Sequence, residues 1–416
     1  MMIHSTLLAS AVLAVLSLST AHAAQPLQAA RAGDQVPAAL VAAPLPTDES
    51  EHAPLAFAWA LDPAQPLQAA TPYASVSRSY WQQVDGTQLQ RGLDLPLTAS
   101  DAVIQLSPTA GARALPANTL QVRDPAGRSS VARSVDARAL QDAGMPVSDG
   151  SSMLRTGATS AIGAYTLQSA QAQGRYVVQV LEPNSPLRLE VKANQAQVLA
   201  GGNVQLQARL LEDGATTAQL ASRRRGLGGE ALLVAPDGRS WPQRLLRTTD
   251  GSLRAQVRIP ADVGSVQGLW ELQVFAQADG VLRDGKVAFA VARPTARFSG
   301  QAAPDPASRQ VALPLQVAAA GRYEARGTLY ATARDGQLKP VAQAHAAAWF
   351  DGPGAGQLVL PFDQAALPAG FGAPYELRDL QLQDQSRMAP APSCCATNRC
   401  RRCSAARSRW SNRKAD

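Results

Sequence analysis

The chain has 416 residues, of which 46% are hydrophobic and only 17% charged, with 39 basic against 32 acidic side chains for a formal net charge of +7. That apolar content excludes global disorder and suffices for about two to four domains. The charge is confined: Arg399, Arg401, Arg402, Arg407, Arg409, Arg413 and Lys414 against Asp416 place net +6 of the +7 after Met388, so the body is near +1 and lacks the basic face that nucleic-acid binding needs.

At the N-terminus an apolar run from Leu7 to Leu18 precedes Ala21-His22-Ala23, which predicts a secretory signal over residues 1–24, although no Lys or Arg comes before the run. The run is shorter than the roughly 20 residues of a spanning helix. No transmembrane segment is therefore expected in the mature chain, and its destination is the periplasm or the exterior. No cysteine follows closely enough to carry a lipid anchor. Residues 25–70 are rich in Ala, Pro and Gln and contain QPLQAA twice, at Gln25 and Gln65, which reads as a loosely ordered, low-complexity leader.

From about residue 71 the pattern changes to short β-type runs bounded by turn residues: AVIQL from Ala102, RYVVQVL from Arg175, NVQLQARLL from Asn203, LRAQVRI from Leu253 and KVAFAVA from Lys286. Period-two alternation between such turns predicts an all-β chain of antiparallel sheets. SVDARALQDAG from Ser134 carries the one short helical pattern. Arg223-Arg224-Arg225, flanked by glycines, reads as a solvated loop tip rather than an anion site.

Two signals recur. A hairpin signal appears in LQVRDPAGRSS from Leu120, LLVAPDGRSW from Leu232 and LYATARDGQL from Leu329. A Gly–aromatic–Leu signal appears in Gly163-Ala164-Tyr165-Thr166-Leu167, Gly268-Leu269-Trp270-Glu271-Leu272 and Gly372-Ala373-Pro374-Tyr375-Glu376-Leu377. Copies start about 105 residues apart, the size of one immunoglobulin-like sandwich, in which an aromatic near a late strand plugs the core. Three tandem immunoglobulin-like β-sandwiches are thus expected at 71–184, 185–294 and 295–388, with Pro-containing linkers at LEPNSP and VARPTARF.

The stretches SRSYWQQVDG from Ser77, GRYVVQVLEPNSPL from Gly174, GRYEARGTLYATARDG from Gly321 and PYELRDLQLQDQSRM from Pro374 resemble a family of exported Gram-negative proteins labelled domain of unknown function 4785, over about residues 50–388. The resemblance implies a signal peptide and immunoglobulin-like modules. It brings no activity, catalytic residue or cofactor.

Without the signal the chain keeps only His52 and His345, and it has no H-E-x-x-H, G-x-S-x-G, phosphate-loop, dinucleotide or calcium-loop motif. No catalytic residue, metal or cofactor is assigned. A carboxylate pair for glycoside hydrolysis depends on distance in space, which spacing along a chain does not report.

Binding needs no motif. In VSRSYWQQV the parity puts Val76, Tyr80 and Val84 on one face and Ser77, Ser79, Trp81 and Gln83 on the other. In VAQAHAAAWF it puts Ala342, Ala344, Ala346, Ala348 and Phe350 opposite Gln343, His345 and Trp349. Trp81, His345 and Trp349 on polar faces are the candidate binding residues, able to stack on a glycan or anchor a protein, or else to be covered by a neighbouring module or the leader. Trp270, aligned with Leu272 and Val274, belongs to the core.

All four cysteines, Cys394, Cys395, Cys400 and Cys403, lie in the terminal stretch from Ser393. Cys400 and Cys403 have a zinc-knuckle spacing, but Cys394-Cys395 supplies no second knuckle, and an exported protein meets an oxidising compartment that favours disulfides. Strand alternation stops at Met388, and the Arg-rich, Lys-poor body points to G+C-rich coding, in which a shifted frame yields such residues. The favoured reading of 389–416 is a disordered, frameshifted tail; disulfides and zinc are the alternatives. Little chain then remains to cover the last sheet edge, so the third module is expected to be the least stable, with a bulge near Arg378 because Leu377 and Leu380 differ in parity.

The reading that results is a non-enzymatic exported binding or scaffold protein. The alternative is an accessory region of a secreted hydrolase or a cryptic carbohydrate-active enzyme.

Overall fold

A computed structural model of the chain describes residues 34–45, 51–67, 71–214, 226–263, 268–305 and 307–387, together with the backbone strands Gln25–Pro26, Ala389–Ser393 and Ala405–Ser408. The expected signal peptide, the Arg223–Arg225 cluster and the four cysteines lie outside these residues.

The described chain is all-β, and its buried side chains gather into three separate cores. The first is built where Ser79–Asp85, Val103–Pro108, Arg133–Asp136, Ser152–Arg155 and Arg175–Leu181 form one sheet and Leu93–Leu97, Gln121–Arg123 and Gly163–Gln168 form a second. Alternation supplies it: Tyr176, Val178 and Val180 of one strand point inward between exposed or half-buried neighbours, in one core with Ile104, Leu106 and Tyr165. The second core lies between the sheet of Leu246–Arg247, Leu253–Arg258, Asn203–Glu212, Leu187–Ala193 and Ala74–Ser77 and that of Gln197–Leu199, Val281–Ala292, Trp270–Ala278, Gly228–Val234 and Ser240–Gln243. Trp270 is buried in it, as its parity demands. The third core joins Gly321–Ala333, Leu338–Phe350 and Phe371–Asp384 to a sheet of Ala296–Phe298, Gln301–Asp305, Gln310–Val317 and Gly354–Pro361. Short helices occur at Gly86–Arg91 and, where the sequence pattern suggests one, at Ala137–Asp142.

In the first two modules the two recurring signals prove to be halves of one contact, whereas a Cβ on Gly372, in the third copy, would meet nothing within 4 Å. Gly163 has φ +136°, and a Cβ there would sit 3.0 Å from the Pro125 side chain of the preceding hairpin; Gly268 has φ +149° and would meet Pro236 at 2.9 Å. Glycine admits both the backbone angle and the close approach. The aromatic that follows, Tyr165, Trp270 or Tyr375, is buried in its own module.

Three expectations change. Val76 does not share a face with Tyr80 and Val84: the chain crosses from one sheet to another at Arg78, leaving Val76 exposed on the second module's edge strand while Tyr80 and Val84 enter the first core. Residues 55–60, read as loosely ordered leader, form the strand Leu55–Ala60, which pairs with Leu338–Phe350 and extends the third module's sheet. Residues 389–393, read as the start of a disordered tail, pair with Phe371–Asp384 on the opposite side of that sheet. The last sheet edge, expected to lie bare, is therefore covered by residues 389–393, and Leu55–Ala60 extends the opposite side of the sheet. The bulge is present: Asp379 takes φ +55° and the register shifts there, so Leu377 and Leu380 both face inward.

Candidate binding site

The leader is fastened along the second and third modules by buried or half-buried polar groups. The Gln35 side chain donates to the Gln197 carbonyl at 2.9 Å and accepts from the Leu199 amide at 2.8 Å, imitating a strand partner. Val41 donates to Pro294 at 2.9 Å. Arg387 donates to the carbonyls of Ala43 at 2.6 Å and Pro44 at 3.1 Å while paired with buried Asp384 at 2.7 Å. Arg322, itself buried, donates to the carbonyls of Glu51 and Ala53. Lone carbonyls meeting a guanidinium are satisfied in pairs, which suits a segment that lacks a regular ladder.

On this track the strand LAFAWA enters in register Leu55↔Ala347, Phe57↔His345 and Trp59↔Gln343. Its bulky residues alternate with Ala, so Leu55, Phe57 and Trp59 line the outer face and remain 54%, 38% and 40% exposed. The rings stand nearly parallel: Phe57 and His345 have centroids 5.2 Å apart at 10°, Trp59 and His345 5.0 Å at 26°, and Phe57 and Trp59 5.7 Å at 21°. His345 Nδ1 is hydrogen-bonded to Glu324 Oε1, and the Gln385 amide donates to Glu324 Oε2. The His345 bond is the main cause that holds the Glu324 carboxyl below its ordinary range. Nε2 of the same ring is buried without a partner among the described residues. One strand register further, Trp349 stacks on His52 at 3.8 Å and donates Nε1 to Asp351 at 2.9 Å.

Of the candidate residues, His345 and Trp349 thus project from one strand of the third module, and both are met by the leader. Trp81 lies elsewhere, on the first module's sheet, where it is 41% exposed and meets Phe275 of the second module edge-on at 5.3 Å. The structure does not bring it to the other two. A concavity of about 780 Å³ between residues 34–42 and the second module, lined by Gln195, Gln205, Asp262, Arg258 and Arg293 among others, offers amides, carboxylates and two guanidinium groups but no aromatic ring.

Family models for the N-terminal and C-terminal domains of domain of unknown function DUF4785 match residues 46–182 and 295–393, together more than half of the chain. The chain belongs to the DUF4785 family. A DUF4785 family protein from Legionella pneumophila is similar in structure at TM-score 0.58 and 18% identity, over 86% of this chain and 98% of that one, which shows the shared fold. Similarity to Escherichia coli alpha-2-macroglobulin, at TM-score 0.25 and 12% identity over 78% of this chain and 20% of that one, is too slight to carry an argument. No curated protein matches the sequence.

The first DUF4785 model begins at residue 46, so the aromatic strand of the leader falls inside a family domain. Sequence reasoning missed Phe57 and Trp59 because the Ala- and Pro-rich surroundings hid them. The signal was the bulky–Ala alternation of LAFAWA itself. Among the described residues no helix is long and apolar enough to cross a membrane, and no group of three or more His, Cys, Asp and Glu is placed to hold a metal ion.

Proposed function

We propose that this chain is a non-enzymatic, exported binding protein of the periplasm or cell exterior, and that it engages a macromolecular partner through the aromatic row on the outer face of the third module. The observation that carries this reading is the strand Leu55–Ala60: all six residues are apolar, five are exposed, and two of them are aromatic. Exposed apolar rows of this kind mark interaction surfaces, and aromatic rings flanked by amides and charges anchor partners efficiently. Gln343 and the paired His345 and Glu324 supply the polar flank.

The test compares the mature chain with Phe57→Ser/Trp59→Ser on a glycan array and in capture from the exported fraction. Loss of a wild-type interaction in the double variant, with the melting temperature kept, is the expected result. Binding unchanged by both substitutions would overturn the assignment of this surface.

A further inference from the structure

Leu55–Ala60 is not only exposed on its face; it is the last strand of its sheet, in the order Leu55–Ala60, Leu338–Phe350, Gly321–Ala333, Phe371–Asp384. The Leu61 amide donates to the Val341 carbonyl at 2.9 Å, and the register runs unbroken from there to Leu55↔Ala347. In an antiparallel ladder the residues that bond a given neighbour alternate, so Leu55, Phe57 and Trp59 direct their N–H and C=O groups to the third module. The backbone groups of Ala56, Ala58 and Ala60 therefore point off the edge. Soluble proteins protect such edges with charges, prolines or bulges; this strand has none of them within its span.

We propose that this edge pairs with the same edge of a second copy of the chain, forming a two-fold dimer with a continuous sheet. An antiparallel pairing centred on Phe57 sets Ala56 of each copy opposite Ala58 of the other, and each pair exchanges two N–H···O bonds using the groups that point outward. It sets Phe57 against Phe57 in the non-bonded position, where Cα atoms approach to about 4.5 Å and side chains touch most closely. Leu55 then faces Trp59 of the second copy on the same side of the sheet. Pro54, which has no N–H, ends the ladder. A one-residue slip would oppose the bulky residues to alanines on the other face, so the alternation of LAFAWA selects this register. The body outside the tail is near net neutral, so its net charge opposes the approach little. The pairing rests on the exposed strand invoked for partner binding, but it uses the edge rather than the outer face.

Analytical ultracentrifugation of the mature chain in reductant, which keeps the terminal cysteines from linking copies, reads the equilibrium directly. A reversible, concentration-dependent dimer is expected. Phe57→Lys and Phe57→Glu should each weaken it at least about tenfold, and an equimolar mixture of the two should restore it, because opposite charges then meet on the pairing axis. Ala58→Pro, which removes only an outward N–H, should abolish the dimer while leaving partner capture intact. That separates failure of the dimer from failure of the binding surface. A wild-type chain that stays monomeric, a dimer indifferent to Ala58→Pro, or charge variants that do not complement would each overturn the proposal.

Discussion

Arg283 of the second module and Glu182, just after the last strand of the first, form an ion pair at 2.7 Å from which solvent is excluded on both sides. The guanidinium also donates to Thr98 Oγ1 at 2.7 Å, Ser185 Oγ at 2.8 Å and the Leu187 and Leu282 carbonyls, and the carboxylate accepts from the Thr98 and Ala99 amides. A buried pair pays heavily for desolvation and is retained only where every group is satisfied. This one is satisfied by residues of both modules. Arg283→Ala should cost about 3–5 kcal/mol in urea unfolding, because it strands the Glu182 charge. It should also uncouple the first two modules into separate transitions. A loss below about 1 kcal/mol with a single transition retained would show that the pair does not hold the junction.

Beside that pair, burial pushes the Asp284 carboxyl up to about 6, against hydrogen bonds from Ser79 and the Trp81 backbone. A carboxyl with a folded pKa above its unfolded value holds its proton more tightly when folded, so stability is greatest below about pH 4 and falls as pH rises to about 6. Asp284→Asn should therefore stabilise the protein by about 2 kcal/mol at pH 7, with the gain vanishing at pH 4. Denaturant titrations at the two pH values measure it, and a gain that is the same at both would refute the titration of Asp284 as its source.

Arg322 clamps the carbonyls of Glu51 and Ala53 just ahead of the aromatic strand. Arg322→Ala should lower stability by about 2 kcal/mol, the scale of hydrogen bonds to a charged group. Protease cleavage between residues 43 and 67 should accelerate with it. If the leader is cut no faster than in the wild type, the clamp is not what fastens it.

The three cores were legible because each rests on period-two alternation and on turn chemistry that a single strand carries: Tyr176, Val178 and Val180 face inward by parity alone. The outward side of His345 and Trp349 was legible in the same way. What covers that side was not, because Leu55–Ala60 is joined to its partner across some 285 residues, and pairing at that distance leaves no local mark. The crossing at Arg78 was hidden likewise: VSRSYWQQV alternates without interruption although its two halves belong to different sheets.

The leader supplies an ordered edge strand to the third module, with one side of its backbone bonded and the other at the sheet's edge. Residue-resolved amide hydrogen exchange on the dilute protein tests it most directly. Slow exchange is expected at Phe57, Trp59 and Leu61, whose amides face Leu338–Phe350, and fast exchange at Ala56, Ala58 and Ala60. Uniformly fast exchange from residue 55 to 61 would mean that the leader is not part of the sheet, and the aromatic row built on it would fall with it.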